Sequence, residues 1–251
     1  MEINVTGAKI YCYLFGNPNL PISETLVNTW IAMAIIVGVC IFLTHSLSVH
    51  PTTKRQIVAE YLVGMVTGLV HNNMGKKWSG FIPFIGALFS LAAVCNLMGL
   101  TGAFSPTGDL STLLAWAILV FILITYWKIK VNGFGGYLKG YLDPIPVMLP
   151  MNIISEVATP ISMAFRHFGN IASGTVITLL LYAALETVNK MLFGLIPGVI
   201  GEVLGTIPIL ATGIPGVLQI YFGVFSGLVQ PFIFCMLTML FVARAGDTGE
   251  D

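Results

Sequence analysis

The sequence predicts an all-α integral membrane protein with about five to six hydrophobic helices, and three observations predict it. Of the 251 residues, 56% are hydrophobic and only 9% charged, whereas a soluble domain carries about 25% charged residues. The mean hydropathy is +0.90. Apolar stretches recur at the length, about 20 residues, that a helix needs to cross a hydrocarbon core about 30 Å thick.

Taken in order, residues 1–251 read as a single membrane domain. Residues 1–23 are mixed in character, with Glu2, Lys9 and several turn formers, and lack the basic-then-apolar pattern of a cleaved leader. They read as an extracytoplasmic segment. Residues 24–46 form the first span, carried by the apolar run Leu26 to Thr44. Residues 55–77 mix apolar positions with Glu60, His71, Asn72 and Asn73, as expected of a helix lying along the interface. Residues 80–128 read as a helical hairpin. Its first arm, Phe81 to Ala103, carries Asn96 inside it; Phe104 to Leu110 (FSPTGDL) is the turn and Leu113 to Trp127 the second arm.

Gly133 to Pro150 is rich in Gly and Pro and reads as a linker, and 145–244 hold the remaining apolar stretches. From Met151 to Leu185 runs a stretch without a clear turn, which at 1.5 Å per residue reaches about 52 Å and must tilt or bend, with Pro160 as one place to bend. Glu186 to Lys190 interrupts it, Pro197, Pro208 and Pro215 punctuate the next segment, and Val217 to Val242 is the last apolar run. Lys54, Arg55, Lys76 and Lys77 fall on the same side as Lys128, Lys130 and Lys139, which the positive-inside rule makes cytoplasmic, leaving the N-terminus outside and the C-terminus cytoplasmic.

Arg166 carries the chemistry. It lies in SMAFRHFGN between apolar runs, and an arginine at the bilayer centre costs about 2.5–3.5 kcal/mol on insertion scales. At 100° per residue Asn152, Ser155, Thr159, Ser162, Asn170 and Ser173 fall within about 40° of its direction, a polar stripe about 33 Å long. In the last helix Gln219, Gly223, Ser226 and Gln230 share a second polar face. A guanidinium keeps its proton, so it serves as a durable positive barrier and carboxylate partner rather than a proton relay. Glu156, the nearest acid on its helix, is about 15 Å away along the axis, so the counter-charge is expected from another protein. Set against this, a lone arginine can snorkel or pair internally, and small polar stripes often serve helix packing. His167 points about 100° away from the arginine and reads as a packing residue; Asn96 reads as an interhelical hydrogen bond. Cys12, Cys40, Cys95 and Cys235 lack metal-ligand spacing and read as buried small hydrophobes. With 11 basic and 11 acidic residues there is no surface for nucleic acid.

The blocks NIISEVATPISMAFRHFGN (Asn152 to Asn170), GLVQPFIFCMLTMLFV (Gly227 to Val242), NLMGL (Asn96 to Leu100) and SPTGDLSTLLA (Ser105 to Ala115) resemble the a subunit of F-type ATP synthases. The resemblance implies a multi-pass stator of a bacterial cell membrane, with a steeply tilted hairpin facing a ring of c subunits. Its partners would be that ring, peripheral-stalk b subunits, the lipid bilayer and, indirectly, the soluble ATPase sector. It implies no cofactor, a translocated H⁺ or Na⁺, two aqueous half-channels, Arg166 as the essential gate, and Asn170 and Gln230 as its support. Two positions where the family often carries ionisable groups are Thr175 and Gly223 here. The outer path is then expected to have Glu186 or Glu202 at its mouth, and the cytoplasmic path Glu156 and Ser162; Asn96 and Ser173 complete the set of pathway or supporting residues. A stand-alone secondary transporter is the rival reading, though no inverted repeat is visible. No phosphate-cradling GxxxxGK[ST] and no nucleophile with an adjacent base suggest an enzyme in its own right.

Overall fold

The computed structural model describes residues 8–13, 21–45, 47–48, 53–142, 146–193, 217–218 and 220–247. Within the N-terminal segment, β1 (Ile10–Tyr13) pairs antiparallel with β2 (Pro21–Ser23). Ser23 then caps helix α1 (Glu24–Thr44), its Oγ accepting from the backbone N–H of Leu26, which satisfies a donor the first turn leaves free. Helix α2 (Lys54–Met74) ends at Gly75, whose φ of 85° closes it off. A short 3₁₀ segment, Lys76–Phe81, leads into α3 (Ile82–Met98), and Gly102 at φ 82° turns the chain out of the helix.

Asp109 caps the next helix, α4 (Leu110–Gly140), accepting from the N–H of Ser111 at 3.0 Å, and its other oxygen accepts from the Thr25 hydroxyl at 3.1 Å. A loop aspartate thus fastens α1 to the start of α4. The expected linker from Gly133 is helical as far as Gly140: only Gly133 leaves the helical region, at φ 69° and ψ 166°. Helix α5 (Leu149–Phe193) has 45 residues and runs on through Pro160, about 67 Å of axis. A π-helical turn, Tyr221–Ser226, precedes α6 (Gly227–Ala245), which contains Pro231. Among the described residues, α1, α3 with its flanking turns, α4, α5 and α6 with its π-helical turn are long and apolar enough to cross a membrane.

The core lies where α2, α3, α4 and α6 meet. Val70 and Met74 of α2, Ile85 of α3, Val120 and Ile124 of α4, and Phe234, Met239 and Val242 of α6 are buried together. Of the membrane-competent helices α6 is the most enclosed, with 39% of its most apolar stretch buried, against 6% for α5. At one end Trp78 stacks edge-on against Trp127, with ring centroids 4.5 Å apart, and Lys130 Nζ lies 4.4 Å from the Trp127 centroid. Lys77 faces Asp247 at 3.9 Å there. The α3–α4 loop and the start of α1 form the opposite end, where Asn28 Nδ2 donates to the Phe104 carbonyl at 2.8 Å. Of the four cysteines Cys95 and Cys235 are buried, but Cys12 and Cys40 are exposed, which corrects the expectation for those two: β1 is exposed along its length and, among the described residues, the apolar face of α1 at Cys40 packs against no other part of the chain.

Candidate functional site

Helix α5 meets the bundle along one edge. Ala164 packs with Leu113 and Ala117 of α4, while Met163 enters the main core. Three or four residues make a helical turn, so this seam also buries His167 to 1% exposure. Arg166, one residue earlier, is turned outward and exposed, together with Ser162 and Ser173, while Asn170 is half-buried. Among the described residues Arg166 makes no ion pair. The hydroxyls of Thr159 and Ser173 in the polar stripe, and of Thr175 outside it, donate to carbonyls three or four residues back, so these groups are satisfied within their own helix.

Gln230 is 7% exposed. With Arg166 and His167 it lines a crevice of about 10 Å³ between α5 and α6, closed by Met163, Ile233, Phe234 and Leu237, room for about one water. The two polar faces read from the sequence therefore converge at Arg166 and Gln230.

Beside that crevice is a buried node centred on Asn96, itself 7% exposed. In an α-helix the carbonyl of residue 227 accepts from the N–H of residue 231, and Pro231 has none. The Asn96 side chain supplies the missing donor: its Nδ2 donates to the Gly227 carbonyl at 2.6 Å. Its Oδ1 accepts from the Thr107 hydroxyl and lies 3.2 Å from His167 Nε2. Thr107 is bonded to Ser105, whose hydroxyl also contacts the Cys95 carbonyl. One amide thus joins α3, α5, α6 and the α3–α4 loop. The interhelical role read for Asn96 understates it, and Pro231, next to Gln230, is the sequence signal that an outside donor is needed.

Glu156 lies elsewhere. It borders a cleft of about 520 Å³ between α4, α5 and α6, together with Lys128, Tyr137, Tyr141, Asn152 and Arg244. Lys128 Nζ donates to Glu156 at 2.9 Å, with side chains 35% and 10% exposed. Tyr137 donates to the same carboxylate at 3.4 Å, and the Tyr137 and Tyr141 hydroxyls are 2.5 Å apart. Burial first, then hydrogen bonds to Glu156 and Tyr137, raise the Tyr141 phenol above its ordinary value, so it stays neutral. Glu186 is paired with Lys190 of its own helix at 2.8 Å. Glu202 lies outside the described residues, as do Pro197, Pro208 and Pro215. A side chain at Gly223 would overlap Leu100, so an apolar leucine fills the space beside a position where the resemblance led one to look for an ionisable group. Among the described residues no three His, Cys, Asp or Glu gather to hold a metal.

A helical bundle with five membrane-competent helices, carrying an arginine, a glutamine and a buried amide node within them, defines a multi-pass membrane protein. Residues 26–243 match the family model described as ATP synthase A chain. The chain is 33% identical over 224 residues to ATP synthase subunit a 1 of Crocosphaera subtropica, covering 88% of this chain and 86% of the relative. It is 32% identical over 236 residues to ATP synthase subunit a of Desulforamulus reducens, covering 93% and 82%. With ATP synthase subunit a 1 of Chlorobium luteolum it shares 31% identity over 245 residues and 97% of each chain. The chain belongs to the ATP synthase A chain family and is a non-catalytic subunit of the membrane sector of an F-type ATP synthase.

Proposed function

We propose that this subunit is the stationary half of the ion path: a ring of c subunits, each with a mid-membrane carboxylate, turns against the open face of α5, and Arg166 gates it. The observation that carries this reading is the exposure of Arg166 on a helix otherwise fit for lipid, without an ion pair among the described residues. Such a charge in lipid is costly, and a carboxylate brought by a partner relieves it. An ion, H⁺ or Na⁺, enters one half-channel and neutralises a ring carboxylate, which then moves into lipid; after a near-full turn the ion leaves by the other. Arginine never gives up its proton, so ions do not cross without rotation.

We assign residues 1–251 to a single membrane domain. The cleft with Glu156, and Ser162 beyond it, is the cytoplasmic path; Lys128 and Arg244 at its border support a cytoplasmic side for that end of the bundle, with the N-terminal hairpin outside a bacterial cell membrane. Asn170, Ser173 and Gln230 support the arginine, and b subunits brace the stator. Glu186 or Glu202 stands at the mouth of the outer path. Joint Glu186→Gln and Glu202→Gln substitution is expected to slow ATP-driven pumping by about tenfold, the effect of losing an ionisable group worth about 1.4 kcal/mol to the transfer; unchanged pumping removes both acids from the path.

Gentle solubilisation and affinity capture of this chain test the whole reading. A proteolipid ring and the soluble ATPase sector are expected to come with it, and solute uptake by the isolated chain in vesicles would instead favour a stand-alone transporter.

A further inference from the structure

We propose that His167 is a positioning residue for Arg166, held by Asn96 as the neutral Nε2–H tautomer so that its Nδ1 lone pair receives a guanidinium N–H of Arg166, directly or across one water. The inference rests on the gating role given to Arg166 above. The chain of constraint starts at Pro231. Because the Gly227 carbonyl has no backbone donor at residue 231, Asn96 must present Nδ2 to it, as it does at 2.6 Å. That fixes the amide, since the flipped form would set two oxygens face to face. Its Oδ1 is then committed to Thr107 and to His167, whose Nε2 is 3.2 Å away.

An amide oxygen only accepts, so this contact is attractive only when Nε2 carries the proton. The other ring nitrogen is left as an acceptor. His167 is 1% exposed, and Nδ1 has no partner among the described residues. The ring lines the same small crevice as Arg166 and Gln230. Arginine is a donor at every nitrogen and accepts nothing, so the two groups are complementary. A buried acceptor left unmade is costly, which favours a guanidinium held over this spot rather than free in front of the helix.

Nitrogen NMR of the complete complex, with histidine labelled by ¹⁵N, decides the matter. The His167 signal is assigned by its loss in the His167→Gln complex. The expected spectrum is a neutral ring with the proton on Nε2, and an Nδ1 shift that moves toward the unbonded value in Arg166→Ala. A proton on Nδ1, a doubly protonated ring, or an Nδ1 shift indifferent to Arg166→Ala overturns the proposal, whatever the complex does as a pump. Failure of the gating role shows separately, as normal coupled pumping by Arg166→Ala. In transport, His167→Leu is expected to slow coupled pumping about tenfold, the loss of one charge-assisted bond. His167→Asn, which keeps an oxygen acceptor near the Nδ1 position, is expected to recover at least part of it. Wild-type rates in both variants also overturn the proposal, and if the leucine variant does not assemble, the wild-type spectrum still decides.

Discussion

Replacing Arg166 by alanine is expected to lower coupled ion translocation by at least a hundredfold in vesicles holding the complete complex, while the c ring is still captured with the subunit. A guanidinium and a carboxylate about 4 Å apart attract by about 4 kcal/mol at an effective dielectric of 20, and each 1.4 kcal/mol is about tenfold in population. The chain itself does not need the charge. Arg166 is exposed and makes no ion pair among the described residues, so its removal orphans no internal charge and relieves the insertion cost. Arg166→Lys keeps the charge but not the planar fork of donors, and an intermediate rate is expected. A passive leak in the alanine complex is compatible with a lost barrier. Normal coupled pumping by an assembled Arg166→Ala complex would remove the centre of the reading.

The second large effect is expected at Asn96. Asn96→Leu leaves the Gly227 carbonyl without its donor and His167 without its acceptor, whereas Thr107 keeps Ser105. An orphaned buried polar group costs about 1–3 kcal/mol, and interhelical bonds within membranes average about 0.6 kcal/mol. A loss of about 1–3 kcal/mol is therefore expected, seen as a lower unfolding midpoint in detergent and a poorer yield of assembled complex. Pro231→Ala restores a backbone N–H four residues after Gly227, so the double variant is expected to regain about half of that loss. Strictly additive effects of the two substitutions would refute the link between proline and amide. Pumping is expected to fall with stability in Asn96→Leu, because the same amide holds the ring beside Arg166.

Much of this is legible in the sequence for one reason: crossing a membrane forces long apolar helices. The runs behind α1, α3, α4 and α6 and the long α5 are visible as such, and so is Arg166, since a charge among apolar residues stands out. Partners are less legible. Lipid tails are as apolar as leucine, so hydropathy treats the exposed surface of α1 and the enclosed surface of α6 alike; nothing in their surroundings along the chain separates exposed Cys40 from buried Cys235. The pairing of Lys128 with Glu156, 28 positions apart, leaves no periodic trace. Nor do the glycines after Trp127 reveal that a single left-handed Gly133 suffices to let α4 resume. Helical phase alone turns His167 away from Arg166, but its bond to Asn96 spans 71 positions and only the fold brings them together.

Helix α6 comes after every other described helix in chain order, yet it fills the middle of the bundle. Chains are synthesised from the N-terminus at about 5–20 residues per second, so α2, α3 and α4 are made before the helix they enclose exists. Until then Asn96 has no Gly227 to reach, and Trp78 has no Gly246 to lie against. The subunit therefore closes from the outside in, after its last segment has left the ribosome. A premature stop between Gly227 and Ala245 would remove the keystone rather than a tail, leaving an open ring of helices with its polar groups turned toward lipid.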